Sequence, residues 1–300
     1  MQAVAGSEDS SISRMTYLAE HPSVAPPASK EPEFFTKGCH KHPDRCTPAQ
    51  QGHYLRETLH LDAVVASNLS VAAFEASTHY AALGPELARP LAAQLPWLRL
   101  VASLREPISR QLSMLAHNLH KRRAAPSCRR RPYPCLLQSG YLGGRNYSYP
   151  LSHWLAAFPA EQLFVIQYEE LVALETQGAV LQRLQAFLGL GTGLSPQQGP
   201  SGSSGRPPRE AQGQGMAPAP VLGLYNHKKD FYNPDGWPMT RQEYTSLVER
   251  VRPDALRASQ LLEKHGLVGS AAAWMASWEQ VWQDNLDGCH AEGDCLIRLT

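Results

Sequence analysis

The stretch that decides the fold is Leu98-Arg-Leu-Val-Ala-Ser-Leu-Arg-Glu-Pro-Ile-Ser-Arg-Gln-Leu-Ser113, where a short apolar segment is followed at once by an amphipathic one. The apolar residues of Leu98–Leu104 predict a buried β-strand. Pro107 suits the first position of a helix, and the spacing of apolar residues up to His120 predicts that a helix follows. A strand that leads into a helix through two residues is typical of a βα unit, and therefore of an α/β protein.

Strand and helix patterns continue on both sides of this unit. Gln162–Tyr168 is a second strong strand candidate, and Gln2–Ala5 fits the end of a short strand. We therefore predict an α/β fold of three layers, in which a central, mainly parallel sheet carries helices on both faces. Further helices are predicted at Arg14–His21, Pro85–Gln94, Leu151–Phe158, Val180–Leu190, Thr240–Arg250, Pro253–His265 and Ala273–Asn285. The last places Trp274, Trp278 and Trp282 on one face, which indicates a packing stripe.

Length and composition limit the domain organisation. Three hundred residues suit one domain over residues 1–300, and the formal net charge of +1 gives no overall field toward nucleic acid or membranes. Residues 192–220 are rich in Pro, Gly, Ser and Gln, which predicts a disordered insertion within that domain. The sequence has no apolar run of the roughly 18–20 residues that span a bilayer, and its first residues do not resemble a signal peptide.

The six cysteines form three close pairs along the chain. Such pairs favour three local disulfides, which need an oxidising compartment. Two glycosylation sequons, Asn68-Leu-Ser70 and Asn146-Tyr-Ser148, agree with that compartment. Reduced thiols remain an alternative, as does a zinc site at Cys39, His40, His42 and Cys46, although this spacing matches no familiar zinc finger. The possible disulfides are Cys39–Cys46, Cys128–Cys135 and Cys289–Cys295.

A cation stands where the first strand meets its helix. Arg105 is placed at the junction, and Ser109 and Ser113 lie one turn apart on the helix, an arrangement that suits a phosphate group. The run Leu104–Ser113 resembles the 3′-phosphate-binding motif of sulfotransferases, Leu-Arg-x-Pro-x-x-Arg-x-x-Ser. The resemblance implies that Arg105 and Ser113 bind the 3′-phosphate of the donor 3′-phosphoadenosine 5′-phosphosulfate (PAPS), and that Arg110 has an orienting role.

Other segments resemble Golgi sulfotransferases that modify heparan or chondroitin. Over residues 10 to 265 the matching segments follow the family's order, and the similarity is greatest to the group that sulfates N-acetylgalactosamine 4-sulfate at position 6. The resemblance implies a P-loop-like sulfotransferase fold in the Golgi lumen, in a type II membrane glycoprotein. Lys228 and Lys229 stand in the place of the family's later basic loop over the nucleotide. The matching segments are Lys30-Glu-Pro-Glu-Phe-Phe35, Glu75-Ala-Ser-Thr-His-Tyr80, Tyr147–Pro159, Gln162–Leu171 and His227–Pro234.

The reaction implied by the resemblance is sulfuryl transfer without a metal. The acceptor is a hydroxyl or amine of a polysaccharide or other glycan. Glu31 takes the place of the base that removes the acceptor proton, and Lys30 that of a cation beside the sulfate. The enzyme then acts mainly by positioning the reactants and neutralising charge.

The segment expected to hold the 5′-phosphosulfate departs from the family. A glycine-rich loop with Lys-x-Gly-Thr-Thr is replaced by Glu8-Asp-Ser-Ser11. The carboxylates of Glu8 and Asp9 would repel the negatively charged phosphosulfate. At an effective dielectric near 20, two like charges about 4 Å apart repel by about 4 kcal/mol. Ser10 and Ser11 are the remaining groups of this loop that can contact the phosphosulfate.

Three interpretations of this departure remain open. The family's loop and a membrane anchor can lie upstream of Met1, the loop can function in an altered form, or the protein can be a catalytically impaired relative that binds glycan or nucleotide. A P-loop nucleotide kinase is excluded because no Gly-x-x-x-x-Gly-Lys-Ser/Thr run occurs. The basic run Lys121–Arg131 is either a site for an acidic glycan or a solvated loop. Nucleic acid is disfavoured as a partner because no stacking aromatics are interleaved.

Overall fold

The computed structural model describes most of the chain, with gaps. Side chains are not described for residues 2–6, 37, 38 and 294, where only the course of the backbone is given. Five of the predicted site residues, Ser10, Ser11, Lys30, Lys228 and Lys229, lie outside the described residues, as do Cys39, Asn146 and the insertion 192–220. The described residues are 2–6, 18, 21–29, 31–38, 46–68, 70–77, 79–138, 147–190, 236–290 and 294–299.

A five-stranded parallel sheet forms the centre of the fold. Its strands lie in the order β2-β3-β1-β4-β5, and each neighbouring pair is parallel. The predicted central parallel sheet is thereby confirmed, as are the two strands predicted around the deciding stretch and at residues 162–168. The strands are β1 (Gln2–Gly6), β2 (Val24–Ala25), β3 (Ala72–Glu75), β4 (Arg99–Leu104) and β5 (Leu163–Gln167).

Helices make up most of the remaining described chain. The helix predicted from Pro107 has the predicted bounds, and those predicted near residues 85, 151, 180 and 273 are also present. A short antiparallel ladder of β6 (Trp237–Thr240) and β7 (Asp294–Ile297) lies apart from the central sheet. The helices are α1 (Pro48–His53), α2 (Leu61–Ala66), α3 (Gly84–Gln94), α4 (Pro107–His120), α5 (Pro132–Gln138), α6 (Ser148–Ala157), α7 (Tyr168–Val172), α8 (Leu174–Leu188), α9 (Arg241–Lys264) and α10 (Ala271–Asp287).

Successive side chains of β4 and β5 pack in two different apolar clusters. Val101 and Ile166 pack in a cluster that includes buried leucines of α8. Leu104 and Val165 pack in another cluster, together with α4, α9 and α10. Because successive side chains of a strand point to opposite faces, helices cover both faces of the sheet at these two strands.

The helix pair predicted at Thr240–Arg250 and Pro253–His265 is wrong, because α9 runs unbroken from Arg241 to Lys264 through Pro253. A proline inside a helix costs about 3 kcal/mol, since it removes a backbone hydrogen bond and crowds the preceding turn. Val251, Ala255 and Ala258 are buried on both sides of the proline, so one apolar face continues across it. Packing of that face against the core offsets the local cost.

Two strands of the sheet, β2 and β3, were not predicted from the sequence. Val24-Ala25, for which no strand was predicted, pairs with Ala72-Ala73 of β3. β3 has four residues, two of them alanine, so its sequence contains no apolar run of strand length. Both strands are defined by their neighbours rather than by their own composition.

Disulfides join two of the three predicted pairs, Cys128–Cys135 and Cys289–Cys295. Cys46 is also disulfide-bonded, while its predicted partner, Cys39, lies outside the described residues. The zinc alternative is wrong for Cys46, because a sulfur in a disulfide is not a thiolate ligand. The two described disulfides are compatible with a secreted or lumenal protein.

Two further observations bear on the cell compartment. None of the helices within the described ranges is both long and apolar enough to cross a bilayer. Asn68, the first sequon asparagine, is exposed at the turn after α2 with a positive φ of 54°. An exposed asparagine in a turn is sterically open to glycosylation.

Candidate functional site

Two of the predicted site residues follow parallel strands of the sheet. Arg105 directly follows β4, Glu75 ends β3, and Glu31 comes six residues after β2. The carboxyl ends of parallel strands meet at the same edge, where α/β proteins bind their ligands. β2 and β4 are three strand spacings apart in the sheet order, or about 14 Å at about 4.8 Å each.

Arg105 is held between two tyrosines. Its side chain is only 4% exposed, and its guanidinium carbon lies 4.7 Å from the centre of the Tyr168 ring. The hydroxyl of Tyr147 donates a hydrogen bond of 2.7 Å to the backbone carbonyl of Arg105. Stacking on an aromatic face stabilises a cation without neutralising it. Arg105 is therefore a buried guanidinium stacked on an aromatic ring at the carboxyl end of β4, and a guanidinium is a suitable partner for an anion such as a phosphate.

The first turn of α4 is capped by Glu106. Its carboxylate accepts hydrogen bonds from the backbone amides of Ile108 (2.7 Å) and Ser109 (2.6 Å). These amides are two of the groups that otherwise make a helix N-terminus an anion site. A phosphate bound here would therefore be held by side chains: Arg105 at the junction, and Ser109 and Ser113 on α4, of which Ser109 is buried and Ser113 partly buried.

The tryptophan stripe of α10 reaches the same junction. Trp278 and Trp282 are buried, as the predicted packing stripe requires, but their indole nitrogens also donate hydrogen bonds. Trp282 Nε1 lies 2.6 Å from a Glu106 oxygen, and Trp278 Nε1 lies 3.1 Å from a Glu169 oxygen. The backbone amide of Glu106 donates to the other Glu169 oxygen at 2.7 Å. The C-terminal helix thus fixes the backbone on which Arg105 stands.

Burial raises the pKa of Glu169, so the folded protein favours its protonated form. The contribution of Glu169 to the free energy of unfolding is complete below the pKa of a glutamate in the unfolded chain, about 4.3. It is lost as the pH rises through the higher pKa that Glu169 has in the folded protein. Glu169→Gln removes the titration. We therefore expect the excess unfolding free energy of the wild type over this variant to shrink as pH rises from about 4, by at most about 1.4 kcal/mol per pH unit.

Urea unfolding of both proteins between pH 4 and 8 measures this difference. Glu170→Gln is the matched control for the loss of a carboxylate. Glu170 is the residue after Glu169, and its half-exposed side chain pairs with Arg183. A difference that stays constant or grows with pH in the Glu169 variant would contradict the assignment.

Glu75 is the centre of a second buried network. Its carboxylate accepts hydrogen bonds from the hydroxyls of Tyr54, Ser77 and Tyr80. Burial raises the pKa of Glu75, and it also raises the pKa values of Tyr54 and Tyr80, next to the carboxylate. Three donors on one buried carboxylate fix the end of β3 and the residues that follow it.

This network also binds the segment that carries Glu31. The backbone amide of Glu33 donates to Ser77 Oγ at 2.9 Å, and that of Phe35 donates to the Tyr80 hydroxyl at 3.1 Å. The two segments joined in this way are those that resemble Golgi sulfotransferases at residues 30–35 and 75–80. Glu31 is partly buried two residues before the first of these bonds, so its backbone is held at the carboxyl edge of the sheet.

Glu33 and His79 are in side-chain contact between the same two segments. Glu33 has a positive φ of 50°, a strained conformation for a residue other than glycine. Its carboxylate lies 3.1 Å from Nδ1 of His79, which is half exposed. The imidazole therefore lies beside the segment that carries Glu31, and it stands at a variable position of the matching segment 75–80.

Sequence reasoning missed most of the residues that support this site. The glutamate of Leu-Arg-Glu-Pro was treated as a variable motif position, although a polar residue before a proline at the first helical position is a capping signal. Tyr54 carried no signal, because it belongs to no motif and lies far along the chain from its partner Glu75.

Comparison with solved structures identifies the fold. The crystal structure of a sulfotransferase from Alicyclobacillus acidocaldarius superposes with a TM-score of 0.56 over 87% of this chain and 95% of that chain, at 21% sequence identity. The chain has a sulfotransferase fold. The sulfotransferase domain from the curacin biosynthetic pathway is a weaker match, with a TM-score of 0.39 and 17% identity over 66% of this chain and 78% of that chain.

Comparison at the level of sequence gives no further assignment, because no family model and no curated protein matches this chain. Within the sulfotransferase fold, Arg105 directly follows β4, Ser113 lies on α4, and Glu31 comes six residues after β2. Their roles remain predictions, as do those of the five site residues outside the described ranges. In the part of the chain that the structure describes, no group of three potential metal ligands occurs.

Proposed function

We propose that this protein transfers a sulfuryl group from PAPS to a hydroxyl or amine of a carbohydrate, such as a glycosaminoglycan-like polysaccharide. The observation that carries the proposal is the Leu104–Ser113 motif at the carboxyl end of β4 in a sulfotransferase fold. The proposal includes a three-layer, P-loop-like arrangement, which is supported by the parallel strand order and by the apolar clusters on both faces of the sheet.

In this proposal Arg105 and Ser113 bind the 3′-phosphate of the donor. Ser10 and Ser11 contact its 5′-phosphosulfate, and Lys228 and Lys229 lie in a basic loop over the nucleotide. A buried, charged guanidinium is suited to a phosphate dianion, because the interaction is weakly screened by solvent.

A buried hydroxyl next to β1 also fits a polar ligand. Ser103 Oγ is buried on β4 and has no hydrogen-bond partner within the described ranges. Ser103 is paired in register with Gly6, the last residue of β1. Buried polar groups are normally hydrogen-bonded. A polar atom of bound PAPS would supply the hydrogen bond that the Ser103 hydroxyl lacks among the described residues.

The reaction needs a proton acceptor at the glycan hydroxyl. The acceptor oxygen attacks the sulfur, the bond from sulfur to the bridging phosphate oxygen breaks, and 3′-phosphoadenosine 5′-phosphate (PAP) leaves. Glu31 takes the acceptor proton, and Lys30 neutralises charge on the sulfuryl group. No metal takes part in the proposed step. The backbone bonds of Glu33 and Phe35 support this role, because they hold the base in place relative to the sheet.

The Golgi lumen is the compartment that fits this reaction, and the two described disulfides and the exposed Asn68 support that placement. A second candidate function follows from Glu8 and Asp9, whose carboxylates oppose a bound phosphosulfate. In that case the protein binds nucleotide or glycan without turnover.

One pair of experiments separates these functions. The purified chain is incubated with radiolabelled PAPS and a panel of chondroitin, desulfated heparin and neutral glycans, and PAP binding is measured by calorimetry. We expect labelled sulfate on a glycan together with PAP binding. Binding without transfer to any acceptor would favour the non-catalytic function, and the absence of both would overturn the proposal.

A further inference from the structure

Positive charge is concentrated in one part of this nearly neutral protein. Residues 107–160 contain eight Lys and Arg residues and no Asp or Glu. The remainder of the chain, with 20 basic and 27 acidic side chains, carries a net charge of −7. Such a separation of charge produces a local field that the overall charge of +1 conceals.

Six of these cations lie close together in the sequence, in a group that we call the basic cluster. It follows the C-terminal end of α4 and continues through a 3₁₀ turn to the start of α5. All six side chains are exposed. The basic cluster consists of Lys121, Arg122, Arg123, Arg129, Arg130 and Arg131.

The backbone of the basic cluster is fixed by the fold. The amide of Arg123 donates to the carbonyl of Asn118 at 2.7 Å, and the amides of Arg130 and Arg131 both donate to the carbonyl of Ser127 at 3.0 Å. The Cys128–Cys135 disulfide closes the loop, and Cys128 is buried. Cations displayed from a rigid backbone bind an anion with a smaller loss of conformational entropy than cations on a disordered segment.

The basic cluster is separate from the proposed donor site. The 14 residues of α4 span about 21 Å at about 1.5 Å per residue, with Arg105 before one end and Lys121 after the other. A single nucleotide bound at Arg105 is therefore too distant to use Lys121, Arg122 or Arg123. The repeated charge of the basic cluster suits an extended polyanion.

We propose that the basic cluster is a second binding site, which takes a linear sulfated or carboxylated polysaccharide. Among the described residues, none of the exposed large apolar side chains lies in 121–138, so the cluster offers nothing to insert into a lipid bilayer or to stack on bases. The disulfides also indicate an oxidising compartment, where acidic polysaccharides are the common linear polyanions and nucleic acids are absent.

Binding of the full chain to fluorescent heparin and chondroitin sulfate, measured by anisotropy at several salt concentrations and without PAPS, tests the proposal. The variant K121Q/R123Q/R130Q removes three cluster charges. The variant R56Q/R89Q/R250Q removes three exposed arginines elsewhere and is matched in net charge. We expect the cluster variant to bind at least tenfold more weakly, with a shallower dependence on salt, and the control to stay within twofold of wild type.

Equal losses in the two variants would show that only net charge matters and would overturn the proposal, as would no loss in the cluster variant. Tighter binding to vesicles of phosphatidylserine or to duplex DNA than to either polysaccharide would also overturn it. Unchanged thermal unfolding and unchanged PAP binding in the cluster variant show that the fold and donor site are intact. These assays measure binding and do not require sulfate transfer. They therefore test the basic cluster even if the protein transfers no sulfate.

Discussion

Replacing Arg105 with alanine is expected to weaken the binding of PAP by about 100-fold, because truncating one partner of a buried charge pair costs about 2–5 kcal/mol. The guanidinium is 4% exposed and stacked on Tyr168, so little water is available to replace it beside the 3′-phosphate. Isothermal titration calorimetry with PAP measures the change in affinity.

Comparison with 5′-AMP assigns this loss to the 3′-phosphate. 5′-AMP lacks that phosphate, so its affinity is expected to change by less than about threefold in Arg105→Ala. Arg105→Lys keeps the charge and is expected to retain part of the preference for PAP. Arg183→Ala, at an exposed arginine paired with Glu170, controls for the loss of a surface cation. Equal losses for both nucleotides would contradict the assignment of Arg105 to the 3′-phosphate.

Replacing Glu31 with glutamine is expected to lower kcat for sulfate transfer by a factor of about 10²–10⁴, the usual contribution of a general base. The amide of glutamine has nearly the same shape but does not accept the acceptor proton. PAP affinity should stay within about twofold, because the donor contacts are assigned to other residues. Transfer of radiolabelled sulfate to the best acceptor of the glycan panel measures kcat.

Glu33→Gln is the matched control for this change. Glu33 lies two residues further along the same segment, and a glutamine there keeps an oxygen in contact with His79 Nδ1. We expect it to lower kcat less than tenfold. An equal or larger loss in the Glu33 variant would transfer the proton-accepting role to the Glu33–His79 pair. An unchanged kcat in Glu31→Gln would remove Glu31 from the mechanism.

The parts of the fold that could be predicted are those with a local signal. β4 and β5 are largely apolar strands of six and five residues, and α4 has a proline at its first position and one apolar face. Both strands and the helix were therefore predicted close to their true bounds. β2 has only two residues and β3 four, and they become strands because a neighbouring backbone pairs with them. That pairing is a tertiary effect, which the residues themselves do not encode in any periodic form.

The residues of the candidate site also fall into a predictable and an unpredictable group. Arg105 could be placed at the end of β4, and Glu31 could be proposed as the base, because each belongs to a contiguous motif. The groups that position them act across the chain: Trp282 and Glu106 are 176 residues apart, and Trp278 and Glu169 are 109 apart. The spacing of the tryptophans predicted that they are buried, but not that their indole nitrogens donate to carboxylates at the Arg105 junction.

The central claim is that Arg105, at the end of β4, binds the ribose 3′-phosphate of the sulfate donor. A crystal structure of the protein with bound PAP tests it most directly. We predict that the 3′-phosphate lies against the Arg105 guanidinium, with the Ser113 hydroxyl within hydrogen-bond distance. A nucleotide bound with its 3′-phosphate elsewhere, while Arg105 contacts only Tyr168, would contradict the claim.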